Sequence, residues 1–506
     1  MKFLKLKTKY IIILFAIVVK LTFQFIATAN SGYHGDELLH IEAGKHLAFG
    51  YMDFPPFIGF VSWVQDLFHS DSLFINHLFN YAFSVFIILI CGLTTIRLGG
   101  GIIAVIITES SILFSPGFGA SQYLFLPTAF EQLFWVLFIY FAIGLCNSQN
   151  SKNLIYIALF SAIGFLNKYS IAFLFVGFVS SILLFNRELL GKRIFWIALV
   201  IFIILILPNP IWQFENNFPI FHHMSELYKT QLDKQSFLKE LMTLIVSLNP
   251  FAFIVWLTAL IIVPFHPKFK VYKLPVFTLL FSFLFLMLSK GKSYYFYPIV
   301  LSLLAFGSVY FEHLIQNRKW IVYGYLLLLI SFGLYILPHG LPLLKLNKYI
   351  EVYNLKPNKD NKIPLTFENY YSDENWDKIL ESVSNAKNSL SENEREHCLV
   401  WGRHYSIAGG INLLGKKYNL PNAFSFHSSF YTWVPDFNKN IVVIAISESN
   451  LKRSYWEQYF DNVEEAGIIE NHYASEENWY NYRVFVCREL KYNSEELKKL
   501  FKDKIF

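Results

Sequence analysis

Two adjacent carboxylates, Asp36 and Glu37, follow directly after the first apolar run of the sequence. Ionised side chains cannot face hydrocarbon, so an acidic pair at a membrane surface is costly unless it serves a purpose. A carboxylate there can act as a general base that takes the proton from an acceptor hydroxyl. It can also hold a cation that neutralises a leaving phosphate. The alternative explanation is a pair of solvated loop acids.

Two lysines, Lys168 and Lys292, stand at the ends of apolar runs. Their ammonium groups would suit the negative charge of a lipid phosphate. Lysines that only anchor helix ends at the interface are the alternative. Tyr294 and Tyr295 can hydrogen-bond a sugar or a phosphate, and they equally fit the aromatic belt of an interface. Both interpretations stay open for the lysines and for the tyrosines.

Other polar residues are weaker candidates. Asp53 could bind an acceptor or a metal ion, or cap a helix that begins at Pro55. His222 and Glu226 would share one face of a helix and could converge on a metal. We favour a solvated loop there. No spacing of Cys and His residues in the sequence indicates a zinc site.

The elements that must position these residues are long apolar runs. Of 506 residues, 54% are hydrophobic, and the excess lies in the first two thirds of the chain. Runs of about 18 or more apolar residues span a membrane as helices and are too continuous for barrel strands. We expect an α-helical multi-pass membrane domain over residues 1–337 with about eleven spans. The predicted spans are 10–29, 78–97, 101–116, 129–146, 153–167, 170–186, 194–210, 247–265, 274–289, 297–312 and 319–337.

Charge in the loops predicts the orientation. The N-terminus and alternate short loops are rich in Lys and Arg, which places the N-terminus in the cytoplasm. An odd number of spans then puts the C-terminus outside, in a cytoplasmic (inner) membrane of bacterial type. This topology puts Asp36, Lys168 and Lys292 on the same, outer side. Within the outer segment 30–77, FPPFIGFVSWVQDLF is typical of a helix lying in the interface.

Residues 338–506 have the composition of a soluble domain. Strand-like stretches (CLVWG, NIVVIAI, YRVFVC) alternate with helix-like ones (YSDENWDKILESVSNAKNSL and LKRSYWEQYFDNVEEAG). This pattern predicts a small extracytoplasmic α/β domain. Cys398 and Cys487 each lie in a strand-like run. Outside the cytoplasm they could form a disulfide or remain free.

Several segments resemble the bacterial glycosyltransferase family 39-like enzymes. These belong to the GT-C superfamily, with the protein O-mannosyltransferases and the aminoarabinose transferases. That family begins with an Asp-Glu pair, here Asp36-Glu37, followed by a Gly-aromatic-x-Asp-x-Pro-Pro element, here residues 50–56 with Asp53. Phe54 stands where the family often has His, so any contact that this His makes with substrate is missing.

The resemblance continues in order along most of the chain. Glu131 matches an acid that opens the fourth helix, although Asp is usual there, and Lys168-Tyr169 matches a Leu-x-Lys-Tyr element. KGKSYYFYP, with Lys292, Tyr294 and Tyr295, is similar to a Lys-x-x-Tyr-x-x-Pro loop. The tail segment AGGINLLGKKYNLPNAFSFHSSFYTWVP is also typical of this subgroup. Each motif is moderately specific, and their order makes the set informative.

The resemblance implies a hexosyl- or pentosyltransferase that uses a polyprenyl-phosphate monosaccharide and needs no nucleotide. The expected transfer is inverting, to an extracytoplasmic glycolipid, polysaccharide or protein of the cell envelope, with membrane lipids as further partners. Asp36 is the candidate base, with Glu37 assisting. Candidate substrate-binding residues are Asp53, Glu131, Lys168, Tyr169, Lys292, Tyr294 and Tyr295. No cofactor is certain, and Asp36 and Glu131 would be the ligands of a divalent metal ion.

Two other functions compete with this one. A transporter or flippase for a lipid-linked saccharide should carry charged residues in mid-membrane and matching broken helices in two halves. Here the charged groups cluster at the outer ends of the runs, and no repeat is visible. A polymerase or ligase using diphosphate-linked oligosaccharides would favour Arg-rich outer loops and a very large mid-chain loop, and the sequence shows neither. A nucleic-acid partner is not expected, because the net charge of +6 comes largely from loops between apolar runs.

Overall fold

A computed structural model describes residues 2–148, 150–315, 318–365, 372–474 and 481–506. These residues form mostly α-helices, followed by a small region of strands. The α-helices, in chain order, are α1 (Lys2–Ala29), α2 (Gly35–Ala43), α3 (Phe57–Asp66), α4 (Leu73–Asn76), α5 (Leu78–Arg97), α6 (Ile102–Leu113), α7 (Pro116–Tyr123), α8 (Pro127–Ser148), α9 (Asn153–Asn167), α10 (Ala172–Phe185), α11 (Arg193–Ile206), α12 (Pro208–Glu215), α13 (Pro219–Leu227), α14 (Phe237–Ser247), α15 (Pro250–Ile261), α16 (Lys273–Leu288), α17 (Tyr297–Ile315), α18 (Lys319–Ile336), α19 (Leu346–Val352), α20 (Ser372–Asn388), α21 (Glu392–His397), α22 (Tyr405–Leu414), α23 (Arg453–Trp456) and α24 (Ser494–Phe501). The strands are β1 (Ile363–Pro364), β2 (Leu399–Gly402), β3 (Ala423–Phe424), β4 (Val443–Glu448), β5 (Phe460–Ile469), β6 (Tyr473–Ala474) and β7 (Tyr482–Leu490).

Six helical segments within the described residues are long and apolar enough to cross a membrane. Three bent pairs of helices add one span each if each pair crosses once, and two shorter helices are also apolar. Every predicted run falls on one of these elements, so the α-helical multi-pass prediction is confirmed. The six segments are Leu6–Ala29, Leu78–Arg97, Pro127–Asn147, Pro267–Leu288, Ser293–Ile315 and Trp320–His339.

Proline marks each of the three bends. α6 and α7 meet at 66°, α11 and α12 at 41°, and α14 and the helical segment that starts with α15 at 117°. The second helix of each pair begins with proline, at Pro116, Pro208 and Pro250. Proline suits a first helical turn but cannot continue a preceding helix, because it lacks the backbone N–H and its ring clashes with the turn before it.

Two of these bends satisfy each other's backbone. The Ser115 hydroxyl donates to the Leu248 carbonyl at 2.8 Å. The Asn249 amide donates to the Phe114 and Leu329 carbonyls, both at 3.0 Å. The Asn249 side chain also accepts from Phe251 N–H and so caps α15. A helix break leaves backbone carbonyls without their helical partners, and hydrocarbon contains no water to hydrogen-bond them. The side chains of Ser115 and Asn249 supply the missing hydrogen bonds.

A carboxylate from another helix caps the N-terminus of α6. Glu312 on α17 accepts hydrogen bonds from the backbone N–H groups of Gly101 at 2.5 Å, Ile103 at 3.1 Å and Ala104 at 3.2 Å. The first N–H groups of a helix have no partner within it, and the helix dipole favours a negative charge there. Glu312 therefore fixes α6 against α17.

The chain divides into two compact units that are not continuous in sequence. Unit 1 comprises residues 1–26, 54–57 and 77–343, and unit 2 comprises residues 27–53, 58–76 and 344–506. The predicted domains, 1–337 and 338–506, were continuous. The division into compact units also places the segments 27–53 and 58–76 with residues 344–506, and the predicted domain boundary at 337/338 stays a prediction.

Unit 2 contains the predicted α/β fold. Its main sheet has the order β3-β2-β4-β7-β5, with β2 parallel to β3 and β4, and with β7 antiparallel to β4 and β5. β1 and β6 form a separate parallel pair. One hydrophobic core of the unit is built around Trp401, Phe424, Trp456 and Phe485.

One helix predicted in the tail is wrong. The stretch 451–467 has apolar residues at helical spacing, but only Arg453–Trp456 is helical, and β5 starts at Phe460. The buried residues Phe460 and Val463 pair with β7 and enter the core of the sheet. Tertiary pairing thus overrides a local helical pattern.

Two other expectations concern unit 2. α3 buries Ile58 and Val61 and exposes the large apolar side chains of Phe60 and Trp63, while its place in the membrane interface stays a prediction. Cys398 and Cys487 are both free. They lie on or beside β2 and β7, with β4 between, and strands two apart are separated by about 9 to 10 Å. A disulfide needs Cα atoms within about 7 Å, so these residues are not bridged.

We predict that Asn249→Ala destabilises unit 1 by about 2 to 4 kcal/mol, because it removes a helix cap and two hydrogen bonds. It also places alanine at a φ of 68°. Thermal unfolding of the purified protein in detergent measures the change. Asn216→Ala, at an exposed position, is the control and should leave the melting temperature unchanged. Equal melting temperatures for the two variants would contradict this account.

Candidate active site

Lys168 lies at a break between two apolar helices of unit 1. α9 ends at Asn167, Lys168 itself is extended (φ −159°, ψ 129°), and a short 3-10 helix then leads into α10. The Asn167 amide donates to the Pro127 carbonyl at 2.8 Å, which ties the break to the start of α8. The Lys168 ammonium thereby reaches the first turns of α8.

The partners of Lys168 are on α8. Its Nζ donates to Glu131 Oε2 at 3.0 Å and to Thr128 Oγ1 at 3.3 Å. The Glu131 side chain is 1% exposed and that of Lys168 is 19% exposed. The other Glu131 oxygen accepts from the Ser170 hydroxyl. A buried carboxylate is tolerated when it is paired and hydrogen-bonded, and Glu131 meets both conditions.

Two tyrosine rings complete this cluster. The Lys168 Nζ lies 5.0 Å from the ring centroid of Tyr294 and 4.9 Å from that of Tyr295. Both tyrosines lie in the short 3-10 helix Ser293–Phe296. A cation within about 6 Å of a ring face is attracted to it. Glu131, Lys168, Tyr294 and Tyr295, all candidates from the sequence, are thus brought together.

Tyr169 and Lys292 contact other groups. The Tyr169 hydroxyl donates to Asn209 Oδ1 at 2.9 Å and accepts from Gln213 at 3.2 Å. Lys292 donates to the Gln231 side chain. Each residue is close in sequence to the Lys168 cluster, but these contacts tie Tyr169 to α12 and Lys292 to the segment after α13. Their predicted roles in binding substrate stay predictions.

In unit 2 the two acids of the Asp-Glu pair have different environments. Both lie in the first turn of α2, whose N-cap is His34. The Glu37 carboxylate is fully buried and accepts from the His34 backbone N–H at 2.7 Å, closing a capping box. Asp36 is half-buried, and its Oδ1 accepts from the Tyr405 hydroxyl at 2.5 Å. No described residue hydrogen-bonds the other Asp36 oxygen.

Close packing brings Tyr405 to Asp36. Tyr405 opens α22, which packs against α2. At Gly409 a side chain would meet the Leu38 carbonyl at 2.8 Å, so glycine permits the close approach of the two helices. Within α2, burial lowers the pKa of His40 to about 4, against the opposing charges of Asp53 and Asp36. His40 is therefore neutral at pH 7.

Asp53 is held by two hydroxyls of the tail. Ser428 donates to its Oδ2 at 2.5 Å and Ser429 to its Oδ1 at 2.6 Å. The Met52 N–H also donates to the Ser429 hydroxyl at 3.2 Å. Asp53 therefore fastens its loop to the 428–429 turn, a contact that neither the capping nor the binding hypothesis anticipated.

The sequence interpretation missed three residues. Tyr405 is 369 positions from Asp36, and no local pattern indicates the contact. Lys20 and Glu109, each 2% exposed, lie inside the membrane helices α1 and α6. The expectation that charged groups cluster at the outer ends was therefore wrong. The sequence does contain a pattern that indicates Lys20 and Glu109, because each of these charged residues interrupts an apolar run.

No group of three or more His, Cys, Asp and Glu residues placed to hold a metal ion occurs in the part of the chain that is described. His222 and Glu226 lie on a helix, α13, where a loop was favoured. Glu226 pairs with Lys229 at 2.8 Å. Metal binding by Asp36 or Glu131 stays a prediction.

Comparisons with known proteins agree with this architecture. Residues 53–212 match the model of a family described as dolichyl-phosphate-mannose-protein mannosyltransferase. A search of curated proteins found no significant match. Two crystal structures of ArnT from Cupriavidus metallidurans are similar at 13% identity, each covering 93% of this chain and 97% of that one. The TM-score is 0.56 for the form bound to undecaprenyl phosphate and 0.57 for the apo state.

AglB from Archaeoglobus fulgidus, in complex with an inhibitory peptide and a dolichol-phosphate, is matched at a TM-score of 0.46 and 11% identity. That match covers 82% of this chain and 64% of AglB, and it is too distant to support an argument. The ArnT likeness shows the fold, and the apolar helices indicate an integral membrane protein. The family match over residues 53–212 and the shared fold together support a GT-C superfamily glycosyltransferase, the family that the sequence resembles.

Proposed function

We propose that the protein transfers a monosaccharide from a polyprenyl-phosphate donor to an acceptor on the outer face of the cytoplasmic (inner) membrane. The acceptor would be a glycolipid, a polysaccharide or a protein. The observation that carries this proposal is the Lys168 cluster, a partly exposed cation that contacts two adjacent tyrosine rings at a helix break. ArnT, whose fold is similar, has been crystallised with undecaprenyl phosphate.

The geometry of Lys168 supports a role in binding the donor phosphate. An ammonium group has three N–H donors. Glu131 and Thr128 take two of them, and no described residue takes the third. A phosphate oxygen could accept that third hydrogen bond, with a charge-assisted strength greater than that of a neutral one. The two tyrosine rings would stabilise the cation, and Glu131 would keep it in place.

The environment of Asp36 supports its role as the base. One oxygen is oriented by Tyr405, and the other has no hydrogen bond from the described residues. Glu37 accepts the hydrogen bond from the N-cap residue His34, and both oxygens of Asp53 accept hydrogen bonds from serine hydroxyls. In the proposed step Asp36 takes the acceptor hydroxyl proton and the acceptor oxygen attacks C1 of the sugar. The C1–O bond to phosphate breaks, polyprenyl phosphate leaves, and the anomeric configuration inverts.

A lipid-linked saccharide flippase is a second candidate, because Lys20 and Glu109 are buried inside membrane helices. No described residue hydrogen-bonds either Glu109 oxygen. Intramembrane charges of this kind are typical of transport pathways. A flippase would move the labelled donor across a liposome membrane and leave its sugar on the lipid, whereas the proposed enzyme moves the sugar to a new molecule.

We predict that Asp36→Asn lowers kcat about 10²- to 10⁴-fold, the usual contribution of a general base. The asparagine oxygen can still accept from Tyr405, so folding should be preserved. Transfer from radiolabelled polyprenyl-phosphate sugars to membrane extract measures the effect. Asp66→Asn, which alters an exposed carboxylate of the same unit, is the control. Full activity of Asp36→Asn would exclude Asp36 as the base.

We predict that removing the Lys168 charge raises KM for the donor about 10- to 100-fold, the value of a charged hydrogen bond. Lys168→Gln alone would leave Glu131 buried without a cation. The double variant Lys168→Gln/Glu131→Gln avoids that problem, because it replaces the ion pair with two amides. Lys290→Gln, which changes an exposed lysine bonded to Asp233, is the control. An unchanged donor KM in the double variant would contradict the proposed role.

We predict that the C-terminus is outside the cytoplasm. A reporter that is active only outside the cytoplasm, fused after Phe506, should be active, and one that works only inside should be silent. The same pair of reporters fused in the loop after Arg187 should give the reverse result. A cytoplasmic signal from the C-terminal fusion would place the tail on the wrong side for the proposed reaction.

A further inference from the structure

The carboxyl ends of the parallel strands in the main sheet of unit 2 form an edge suited to a ligand. β2, β3 and β4 are parallel, and β2 lies between the other two. The chain leaves β2 towards β3 on one side and returns as β4 on the other side. In open α/β sheets, such a reversal opens a crevice at the carboxyl ends of the strands, and ligands bind there.

Arg403 follows β2 directly at this edge. Its backbone N–H donates to the Ile446 carbonyl at 2.8 Å, so its position against β4 is fixed. Among the residues that are described, none forms a hydrogen bond or an ion pair with the guanidinium, and its Nε is buried without a partner. The Tyr455 ring is 6.0 Å from Cζ. A buried donor left unbonded costs free energy that a ligand would recover.

Two histidines, His404 and His427, interact with Arg403 or with each other at this edge. The rings of His404 and His427 lie 4.5 Å apart, and His427 stacks on Tyr405 at 5.0 Å. Loss of solvent lowers the pKa of His404 well below its usual range, and the positive charges of His427 and Arg403 lower it further. His404 is therefore neutral near pH 7, the guanidinium of Arg403 is the fixed positive charge at this edge, and Asp36 is bonded through Tyr405 rather than paired with Arg403.

We propose that Arg403 and the adjoining histidines bind a phosphate group. A guanidinium offers two parallel N–H donors that match phosphate oxygens, a phosphate would offset the charge of Arg403, and neutral imidazole rings can donate further N–H groups to it. Because Tyr405, two residues after Arg403, bonds the candidate base, this phosphate belongs to the acceptor or lies beside it. That second step rests on the proposed function; the phosphate site itself does not.

The test is thermal unfolding of the full chain with phosphate from two sources. In detergent, inorganic phosphate is compared with chloride at equal ionic strength. In nanodiscs, phosphatidic acid is compared with a neutral lipid. A ligand that binds only the folded state raises the melting temperature by mass action. We expect a rise of a few degrees in at least one arm, and the arm that responds tells whether free phosphate or a lipid headgroup is bound.

Variants make the result specific to this site. Arg403→Gln should abolish the rise and leave the melting temperature without phosphate unchanged, since none of the residues that the structure describes hydrogen-bonds the guanidinium. Arg453→Gln, at an exposed arginine paired with Glu457, should keep the rise. No rise in either arm for the wild type, or an equal rise in Arg403→Gln, would overturn the proposal.

Kinetics then separate this inference from the proposed function. In the transfer assay, Arg403→Gln should raise KM for the acceptor at least tenfold and leave KM for the donor unchanged. An unchanged acceptor KM would remove the link to the acceptor. Failure of the wild type to transfer sugar would refute the proposed function and leave the phosphate-dependent rise in melting temperature intact.

Discussion

The ion pair between Lys168 and Glu131 is the interaction on which the candidate site of unit 1 depends. Glu131 is almost fully buried, and a carboxylate is stable there only because the ammonium and the Ser170 hydroxyl satisfy it. The lysine reaches it because the helix stops at Asn167 and the chain becomes extended. The same helix break leaves the ammonium partly exposed beside two adjacent tyrosine rings. Under the proposed function, structural stability and anion binding would therefore come from one arrangement.

In unit 2 the three candidate carboxylates have different hydrogen-bond partners. Glu37 stabilises the start of α2, Asp53 holds a loop against Ser428 and Ser429, and one oxygen of Asp36 has no hydrogen bond from the described part of the chain. In the proposed reaction, this difference would make Asp36, rather than Glu37, the carboxylate that accepts the proton. Tyr405 and Arg403 belong to the α/β part of the unit, so the tail would contribute to the chemistry as well as to folding.

Sequence reasoning was most successful where one physical effect dominates. Continuous runs of Leu, Ile and Phe identified every membrane helix, and Glu131, Lys168, Tyr294 and Tyr295 were selected together, from their residue types and the family resemblance. Sequence reasoning failed where contacts between distant parts of the chain determine the local structure. The stretch 451–467 has helical spacing, yet pairing with β7 makes most of it a strand. The contact from Tyr405 to Asp36 depends on the packing of α22 on α2, which no local pattern encodes. Buried Lys20 and Glu109 could have been noticed, since a charge within an apolar run is itself a signal.

The most direct test of this account is a cryo-EM structure of the full chain with undecaprenyl phosphate bound in a nanodisc. We expect a phosphate oxygen within about 3 Å of Lys168 Nζ, with the contact to Glu131 retained. A phosphate bound elsewhere, with the third donor of Lys168 still unused, would contradict the assignment of Lys168 as the residue that binds the donor.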